Sequence, residues 1–506
     1  MEIKKRLISY IKENYLEIPK TLNYGTAGFR DIYNEKFKFL SVLTLLFISK
    51  LSSNNQKTLG FMLTASHNPH QYNGIKVANY DGELLEQESE KELENFVHLD
   101  LKSLLHIVEN TLPINNPTIA IGYDTRESSE TIIQELMYFA HLLQIKIINL
   151  GVSTTPQLFR AVREINENNN DYLQIYTDIL INSYQGKLKS IENNNKNIFI
   201  DHANGSGTAI FTSHFENKLK EILNINAKIC TPKGEINENC GSDLVTSKNI
   251  IPPFMNSFLA NSEENLGVSF DGDCDRIVFY NNNQIYDGDY IALLLMKYIS
   301  EIEKDPKFKS LSKSIVVTPY SNNNMKKVVE DCGWEFILSA PGVKNLHREA
   351  IKSDISIYFE KNGHGNIHFS EDALKLKNLF EIDKLLYSKA GDSIAIFLLT
   401  IFALNYLKMT TNDFTNLLEN TIQVNDKIIR RNLNVKLVTN KIETEIISPT
   451  YLADGIIKVN ERFPNNRSVI RPSGTEPIIR LLVEGNNNLE IDQHIKELKN
   501  YFDGKV

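Results

Sequence analysis

Paired cysteines, a surplus of positive charge and a bilayer-length apolar run are all missing from this 506-residue chain, and each absence removes a class of protein. The 4 cysteines, Cys230, Cys240, Cys274 and Cys332, form no CxxC pair and have no zinc spacing. A disulfide scaffold and a zinc ribbon are excluded, and the thiols read as those of a reducing compartment. Formal net charge is -8, with Lys and Arg scattered among acids. That argues against nucleic acid as the main partner. A small anion, such as a phosphorylated substrate, needs only a local site. The longest apolar-rich stretch, Phe39 to Leu51, is too short to span a bilayer and contains Lys50. No cleavable apolar core follows Met1-Glu2-Ile3-Lys4-Lys5-Arg6-Leu7, so no secretory signal is expected. The reading is a cytoplasmic protein with no membrane partner.

What is present is ordinary globular material, 42% hydrophobic and 23% charged. The length predicts roughly three to five domains. Short apolar runs (Thr118–Tyr123, Ile198–Ile200, Leu266–Phe270, Ser314–Val317) alternate with helix-like segments (Glu130 to Leu143, Ala390 to Leu407). This alternation indicates α/β architecture. Segments 118–155, 197–232 and 313–340 read as variants of one strand–helix–strand unit. From about residue 409 the pattern changes to short alternating strands and a terminal helix, a smaller α+β domain. Asparagine runs, such as Asn281 to Asn283, fall between apolar segments and read as polar loops.

Five stretches carry chemistry. Thr64-Ala65-Ser66-His67-Asn68-Pro69 follows the apolar run Leu59–Leu63. A hydroxyl at the end of a strand lies where α/β enzymes react, and Ser66 needs an activating partner to be a nucleophile. Lys76 is a nearby cation. Asp271-Gly272-Asp273-Cys274-Asp275-Arg276 has carboxylates at alternate positions, and an extended or gently curved backbone would point all three one way. Three hard oxygen ligands suit Mg2+. An EF-hand is ruled out by Arg276 at its sixth position and Asn282 at its twelfth. Arg276 neutralises excess charge or pairs with phosphate.

Arg471-Pro472-Ser473-Gly474-Thr475-Glu476-Pro477, with Arg480 beyond, joins an arginine fork to a glycine-bearing, hydroxyl-bearing loop. Such loops bind anions. Glu360-Lys361-Asn362-Gly363-His364-Gly365-Asn366 offers acceptors and donors suited to sugar hydroxyls, with His364 or Lys76 as the proton acceptor. Gly342-Val343-Lys344 is a polar turn that could select substrate. Tyr24-Gly25-Thr26-Ala27-Gly28-Phe29-Arg30 reads equally as a tight loop beside the serine or a plain N-terminal turn.

In this order, the five stretches resemble the α-D-phosphohexomutase superfamily, and most closely its phosphoacetylglucosamine mutase branch, from Tyr24 to Val483. TASHNP, DGD-x-DR and RPSGTEP carry the superfamily resemblance; YGTAGFR, the early serine and EKNGHG carry the branch. The chain departs from the branch pattern at Lys361 and Asn366. Cys274 stands where alanine is usual and, by strand parity, is expected to face away from the metal.

The resemblance implies a four-domain architecture around a central cleft, three related α/β domains and a smaller C-terminal α+β domain. The expected boundaries are 1–167 with the serine loop, 168–282 with the metal loop, 283–408 with the sugar loop and 409–506 with the phosphate loop. It implies isomerisation of N-acetylglucosamine 6-phosphate and 1-phosphate, feeding UDP-N-acetylglucosamine synthesis, through phosphoserine at Ser66 and a sugar bisphosphate. One Mg2+ would be held by Asp271, Asp273, Asp275 and an oxygen on Ser66. Arg30 would join Ser66, His364 and Lys76 in catalysis. Glu360, Lys361, Asn362, Arg471, Pro472, Ser473, Gly474, Thr475 and Arg480 would bind substrate, with His67, Asn68, Arg276 and Lys344 close by. A monomer is expected, without excluding an oligomer. The runner-up is phosphoglucomutase or phosphomannomutase activity. A metal-dependent phosphatase would not need the distal anion loop, and a scaffold protein would not need an intact serine, aspartates and arginine.

Overall fold

The computed structural model describes residues 2–25, 28–111, 115–169, 180, 196–223, 225–386, 391–432, 434–473 and 477–506. Two compact units emerge: Met1–Asp287 with Asn362–Asn366 and Lys377–Thr411, and Gly288–Lys361 with Ile367–Leu376 and Asn412–Val506. Among the described residues, no helix is long and apolar enough to cross a membrane.

The first unit holds two five-stranded sheets. One is built from β1 (Phe29–Ile32), β2 (Leu59–Leu63), β3 (Tyr72–Ala78), β4 (Thr118–Tyr123) and β5 (Lys146–Val152), in the order β1-β3-β2-β4-β5. Strands β2, β4 and β5 are parallel, and the β1 and β3 pairings are antiparallel. All five β2 residues are buried, as expected of a central strand. The Phe39 to Leu51 stretch lies within helix Glu35–Asn55, whose buried positions run from Phe37 to Ser52.

The second sheet is built from β6 (Asn197–Asp201), β7 (Asn226–Ile229), β8 (Leu266–Phe270), β9 (Ile277–Tyr280) and β10 (Ile285–Tyr286), in the order β10-β9-β8-β6-β7. Helix Ser393–Tyr406 is buried continuously from Ser393 to Leu404. Phe397 stacks at 6.2 Å on Phe279 and meets Phe270 edge-on at 6.0 Å. That explains why its sequence is apolar all round.

A third sheet, in the order β12-β11-β13-β14, contains β11 (Lys313–Val317), β12 (Glu335–Leu338), β13 (Ile355–Phe359) and β14 (Gly365–Phe369). In the second unit, β15 (Ile422–Ile429) precedes the short pair β16 (Val438–Thr439) and β17 (Ile446–Ser448). Then β18 (Arg467–Pro472) and β19 (Ile478–Gly485) complete an antiparallel sheet in the order β15-β19-β18. Helices Thr450–Asn460 and Asn488–Phe502 supply Leu452, Ile456, Ile491 and Leu498 to the core beneath it.

Three strand–helix–strand units are seen. They are β4–(Glu127–Leu143)–β5, β6–(Ser213–Leu223)–β7 and β11–(Met325–Asp331)–β12, each with parallel strands. They coincide with the segments whose patterns matched in the sequence.

Candidate active site

Strand β2 runs into the serine loop, and Ser66 is fully buried with φ +48°. A left-handed conformation at a non-glycine residue costs about 1–2 kcal/mol, so surrounding bonds must impose it. Those bonds are numerous. Ser66 N donates to Thr64 Oγ1 at 3.0 Å, and Thr64 Oγ1 donates to Asp124 Oδ2 at 2.7 Å. Arg126 Nε donates to the same Asp124 oxygen at 2.9 Å. The Arg126 guanidinium then reaches the carbonyls of Ser66 at 3.1 Å, Asn68 at 2.8 Å, Pro69 at 2.5 Å and Tyr72 at 2.9 Å. Asn237 Nδ2 adds bonds to the Ser66 and Asn68 carbonyls at 2.7 and 3.0 Å. Burial pushes the Asp124 carboxyl up despite Arg126 and Thr64.

Arg30 arrives on β1, paired with Gly74 on β3, and donates Nη2 to Ser66 Oγ at 3.1 Å. A Cβ on Gly74 would meet Thr64 O at 2.3 Å, so only glycine lets β3 pass the loop this closely. Thus Tyr24 to Arg30 leads into a paired strand rather than a plain turn; Thr26 and Ala27 lie outside the described residues. His67 Nδ1 and Asn68 Oδ1 are buried and find no hydrogen-bond partner among the described residues. Burial, with Arg276 and Arg30 nearby, holds the His67 imidazole well below its usual range.

The acidic loop follows β8, and the structure corrects the expectation that an extended or gently curved run aligns it. Cys274 N donates to Asp271 O at 3.2 Å and Cys274 sits at φ +57°, so the loop is a turn. Its reversal, not strand parity, decides where the acids and the thiol go. The Cys274 sulfur packs on Gly207, and its carbonyl accepts from Ser393 Oγ at 2.6 Å.

The ligand oxygens of Asp271, Asp273 and Asp275 lie within 4.8 Å of one another, and all three residues are buried. In each carboxylate, one oxygen is used by the protein. Asp271 Oδ1 accepts from the backbone N–H groups of Asp275 and Arg276, both at 3.1 Å. Asp273 Oδ2 accepts from Lys76 Nζ and Thr155 Oγ1, both at 2.5 Å. Asp275 Oδ2 accepts from Lys76 Nζ at 2.6 Å. The other oxygen of each, Asp271 Oδ2, Asp273 Oδ1 and Asp275 Oδ1, accepts no hydrogen bond among the described residues.

Arg276 Nε stands 3.9 Å from both Asp271 Oδ2 and Asp275 Oδ1, too far for a hydrogen bond. Three buried carboxylate oxygens without a hydrogen bond, one per residue, fit a hard divalent cation. Burial, with Asp275 and Asp273 as like-charged neighbours, pushes the Asp271 carboxyl well up. Burial also acts against Asp275, but Lys76, His364 and Arg276 outweigh it and hold that carboxyl well down. Lys76 is itself buried; burial alone would lower its ammonium, yet Asp273 and Asp275 raise it overall. Gly272 ties the two loops together, since a Cβ there would meet Ser66 O at 2.5 Å.

Also in this unit, Asn362 Oδ1 accepts from His364 N at 3.0 Å, and His364 is buried. In the second unit, Glu360 Oε1 accepts from Gly342 N at 2.9 Å. Burial, with Arg348 nearby, lowers the Lys344 ammonium to about 8. Lys361 Nζ donates to Gln423 Oε1 on β15. Arg471 donates Nε to Tyr320 Oη at 2.7 Å and Nη1 to Glu443 Oε2 at 2.6 Å. Arg480 is directly opposite Arg471 in the β18–β19 ladder, so both cations share one face. Pro472 ends β18, and Ser473 N donates to Ile478 O at 2.9 Å. Gly474 and Thr475 lie outside the described residues.

Four contributors escaped sequence reading: Thr155, Asp124, Arg126 and Asn237. Asp124-Thr125-Arg126 did carry a signal, two charged residues at the end of a strand parallel to β2. Thr155 and Asn237 carry none, because their partners are distant in sequence.

Family profiles match along the chain. Phosphoglucomutase/phosphomannomutase, alpha/beta/alpha domain I covers residues 42–103 and 101–181. Phosphoacetylglucosamine mutase AMG1, domain III covers 287–409, and the phosphoglucomutase/phosphomannomutase C-terminal domain covers 434–499. Fold and profiles together define an α-D-phosphohexomutase. The phosphoacetylglucosamine mutase of Candida albicans is 30% identical, over 98% of this chain and all of its own. A probable phosphoacetylglucosamine mutase of Encephalitozoon cuniculi is also 30% identical, over 96% of both chains. The crystal structure of the Aspergillus fumigatus N-acetylphosphoglucosamine mutase with GlcNAc-6P and magnesium superposes with a TM-score of 0.87, at 25% identity over 98% of both chains. The chain belongs to the phosphoacetylglucosamine mutase family.

Proposed function

We propose that this chain interconverts N-acetylglucosamine 6-phosphate and N-acetylglucosamine 1-phosphate, with Ser66 carrying the phosphoryl group. The observation that carries this reading is the pairing of a constrained serine hydroxyl with a buried trio of half-satisfied carboxylates. Asp271, Asp273 and Asp275 would hold Mg2+ through their orphaned oxygens, with Ser66 as a further ligand. Bound there, the ion would supply positive charge to the transferring phosphoryl group. Arg30 keeps a guanidinium on the serine oxygen and supports the same charge. The clamp made by Asp124, Arg126 and Asn237 orients the loop so that attack occurs from a fixed geometry.

Lys76 balances the carboxylates. Held as an ammonium by Asp273 and Asp275, it is poorly placed to accept a proton. That leaves His364 as the candidate for the sugar hydroxyl's proton. Arg471, with the 473–475 loop and Arg480, would hold the phosphate that does not react, and Glu360 and Asn362 the sugar hydroxyls. A sugar bisphosphate is the intermediate and must be retained long enough to return its other phosphate to Ser66. The four cysteines are free, which supports a reducing, cytoplasmic setting.

Turnover should be compared on N-acetylglucosamine 6-phosphate, glucose 6-phosphate and mannose 6-phosphate. A clear preference in kcat/KM for the acetylated sugar is expected. Preference for a plain hexose phosphate would transfer the chain to the runner-up activity, and steady release of inorganic phosphate would indicate a phosphatase.

A further inference from the structure

We infer that Glu443 is a positioning residue that aims the Arg471 guanidinium at the substrate's non-reacting phosphate. The inference rests on the reading that the Arg471 loop holds that phosphate.

Glu443 sits in the turn between β16 and β17, with φ +58°. A non-glycine residue in that region is held there by its surroundings. The turn is fastened to itself: Glu443 N donates to Asn440 O at 3.1 Å, Thr444 N to Asn440 Oδ1 at 2.9 Å, and Asn440 N to Glu445 O at 3.0 Å. It is also fastened to the phosphate strand. Ile470 N, next to Arg471, donates to Thr444 O, next to Glu443, at 2.9 Å. Backbone bonds therefore hold the Glu443 turn beside the strand that carries Arg471, within reach of the side-chain pair.

The guanidinium is gripped from two elements. Tyr320 takes Nε, with its ring centroid 5.6 Å from the guanidinium carbon, and Glu443 takes Nη1. Neither contact uses Nη2. A planar fork held on two edges by independent partners has lost most of its rotamer freedom before ligand arrives. Electrostatics calls for a partner of this kind. Arg471 faces Arg480 across the ladder, and Arg480 faces Lys427 on β15, so three cations form one cross-strand row. Like charges directly opposite destabilise a sheet. The Glu443 carboxylate offsets that repulsion at the end of the row where the arginine must stay aimed.

A contact of this kind acts equally on bound substrate and transition state, so its loss should raise KM and spare kcat. For Glu443→Ala we expect KM for N-acetylglucosamine 6-phosphate to rise about tenfold, the size of one charge-assisted contact, with kcat within about twofold. Glu443→Asp should recover part of the loss. Combined with Arg471→Ala, the second substitution should add nothing, because the residue it aims is gone. If Glu443→Ala misfolds by thermal denaturation, Glu443→Gln provides the same comparison with the shape kept. An unchanged KM, an effect additive with Arg471→Ala, or a lowered KM would overturn the inference; a lowered KM would mean the carboxylate competes with phosphate. An Arg471→Ala enzyme with normal KM would instead overturn the phosphate reading itself, so the two failures are separable.

Discussion

Lys76 Nζ lies 2.5 Å from Asp273 Oδ2, a buried ion pair joining the β3 strand to the acidic loop. The same ammonium serves Asp275 at 2.6 Å. Removing one partner of a buried pair strands the other charge, at a cost of about 3–5 kcal/mol. Lys76→Met should therefore melt well below wild type in EDTA, and Mg2+ should restore more stability to the variant than to the wild type. Equal Mg2+-induced shifts in the two melting temperatures would show that lysine and metal do not share the carboxylates.

The strained serine predicts an uncoupling of stability from activity. Ser66→Ala and Ser66→Gly should both abolish isomerisation. Glycine tolerates φ +48° without the penalty that alanine retains, so Ser66→Gly should be the more stable of the two, by about 1 kcal/mol. Chemical denaturation of both variants measures the difference. Intact mass after exposure to a sugar bisphosphate should show phosphoryl addition to wild type alone.

Arg126 makes three bonds to carbonyls of the serine loop and one to that of Tyr72 at the start of β3, and touches neither the carboxylate trio nor Ser66 Oγ in any contact described. Arg126→Met keeps the bulk and removes the donors. A reacting oxygen displaced by about 1 Å costs on the order of 100-fold in rate. We expect kcat to fall by about that factor with Mg2+ affinity unchanged. A variant with normal kcat would show that the loop holds its shape without the clamp.

His494 gives a pH prediction for the C-terminal sheet. It is buried, stacks on Phe463 at 4.5 Å, and its Nε2 pairs with Asn460 Oδ1 at 2.9 Å. Burial lowers its imidazole to about 4, from 6.5 in the unfolded chain. Between those values the unfolded chain binds the extra proton, so this group's contribution to stability is lost as pH falls from about 6.5 towards 4, by up to about 3 kcal/mol. The urea midpoint of wild type should drop more between pH 7 and pH 4.5 than that of His494→Gln. Parallel drops would refute the assignment.

Much of the candidate site could be read directly. Ser66, the three aspartates and Arg471 belong to short motifs in which neighbouring residues together announce the chemistry. Strand–turn–helix alternation also marked the repeated α/β units, because period and length are local properties. The aspartates of the acidic loop do converge, but on a different backbone: alternate spacing suited an extended or gently curved run, whereas the Cys274 turn does the converging. His364 and Lys76 stood level as proton acceptors in the sequence; that two carboxylates sit on the Lys76 nitrogen is legible only in space, since only distance tells a free amine from a paired ammonium.

By itself, then, the order of residues determined the family, the sheet-forming segments and the candidate groups for metal and phosphate, all of which depend on composition and near neighbours. Tertiary structure decided how each group is held: which oxygen of each aspartate stays unsatisfied, which arginine clamps the serine loop, and that Glu443 meets Arg471. Those are pairings between residues far apart in sequence, made by strand order and loop closure, and hydrogen-bond geometry acts over about 3 Å of space whatever the separation along the chain.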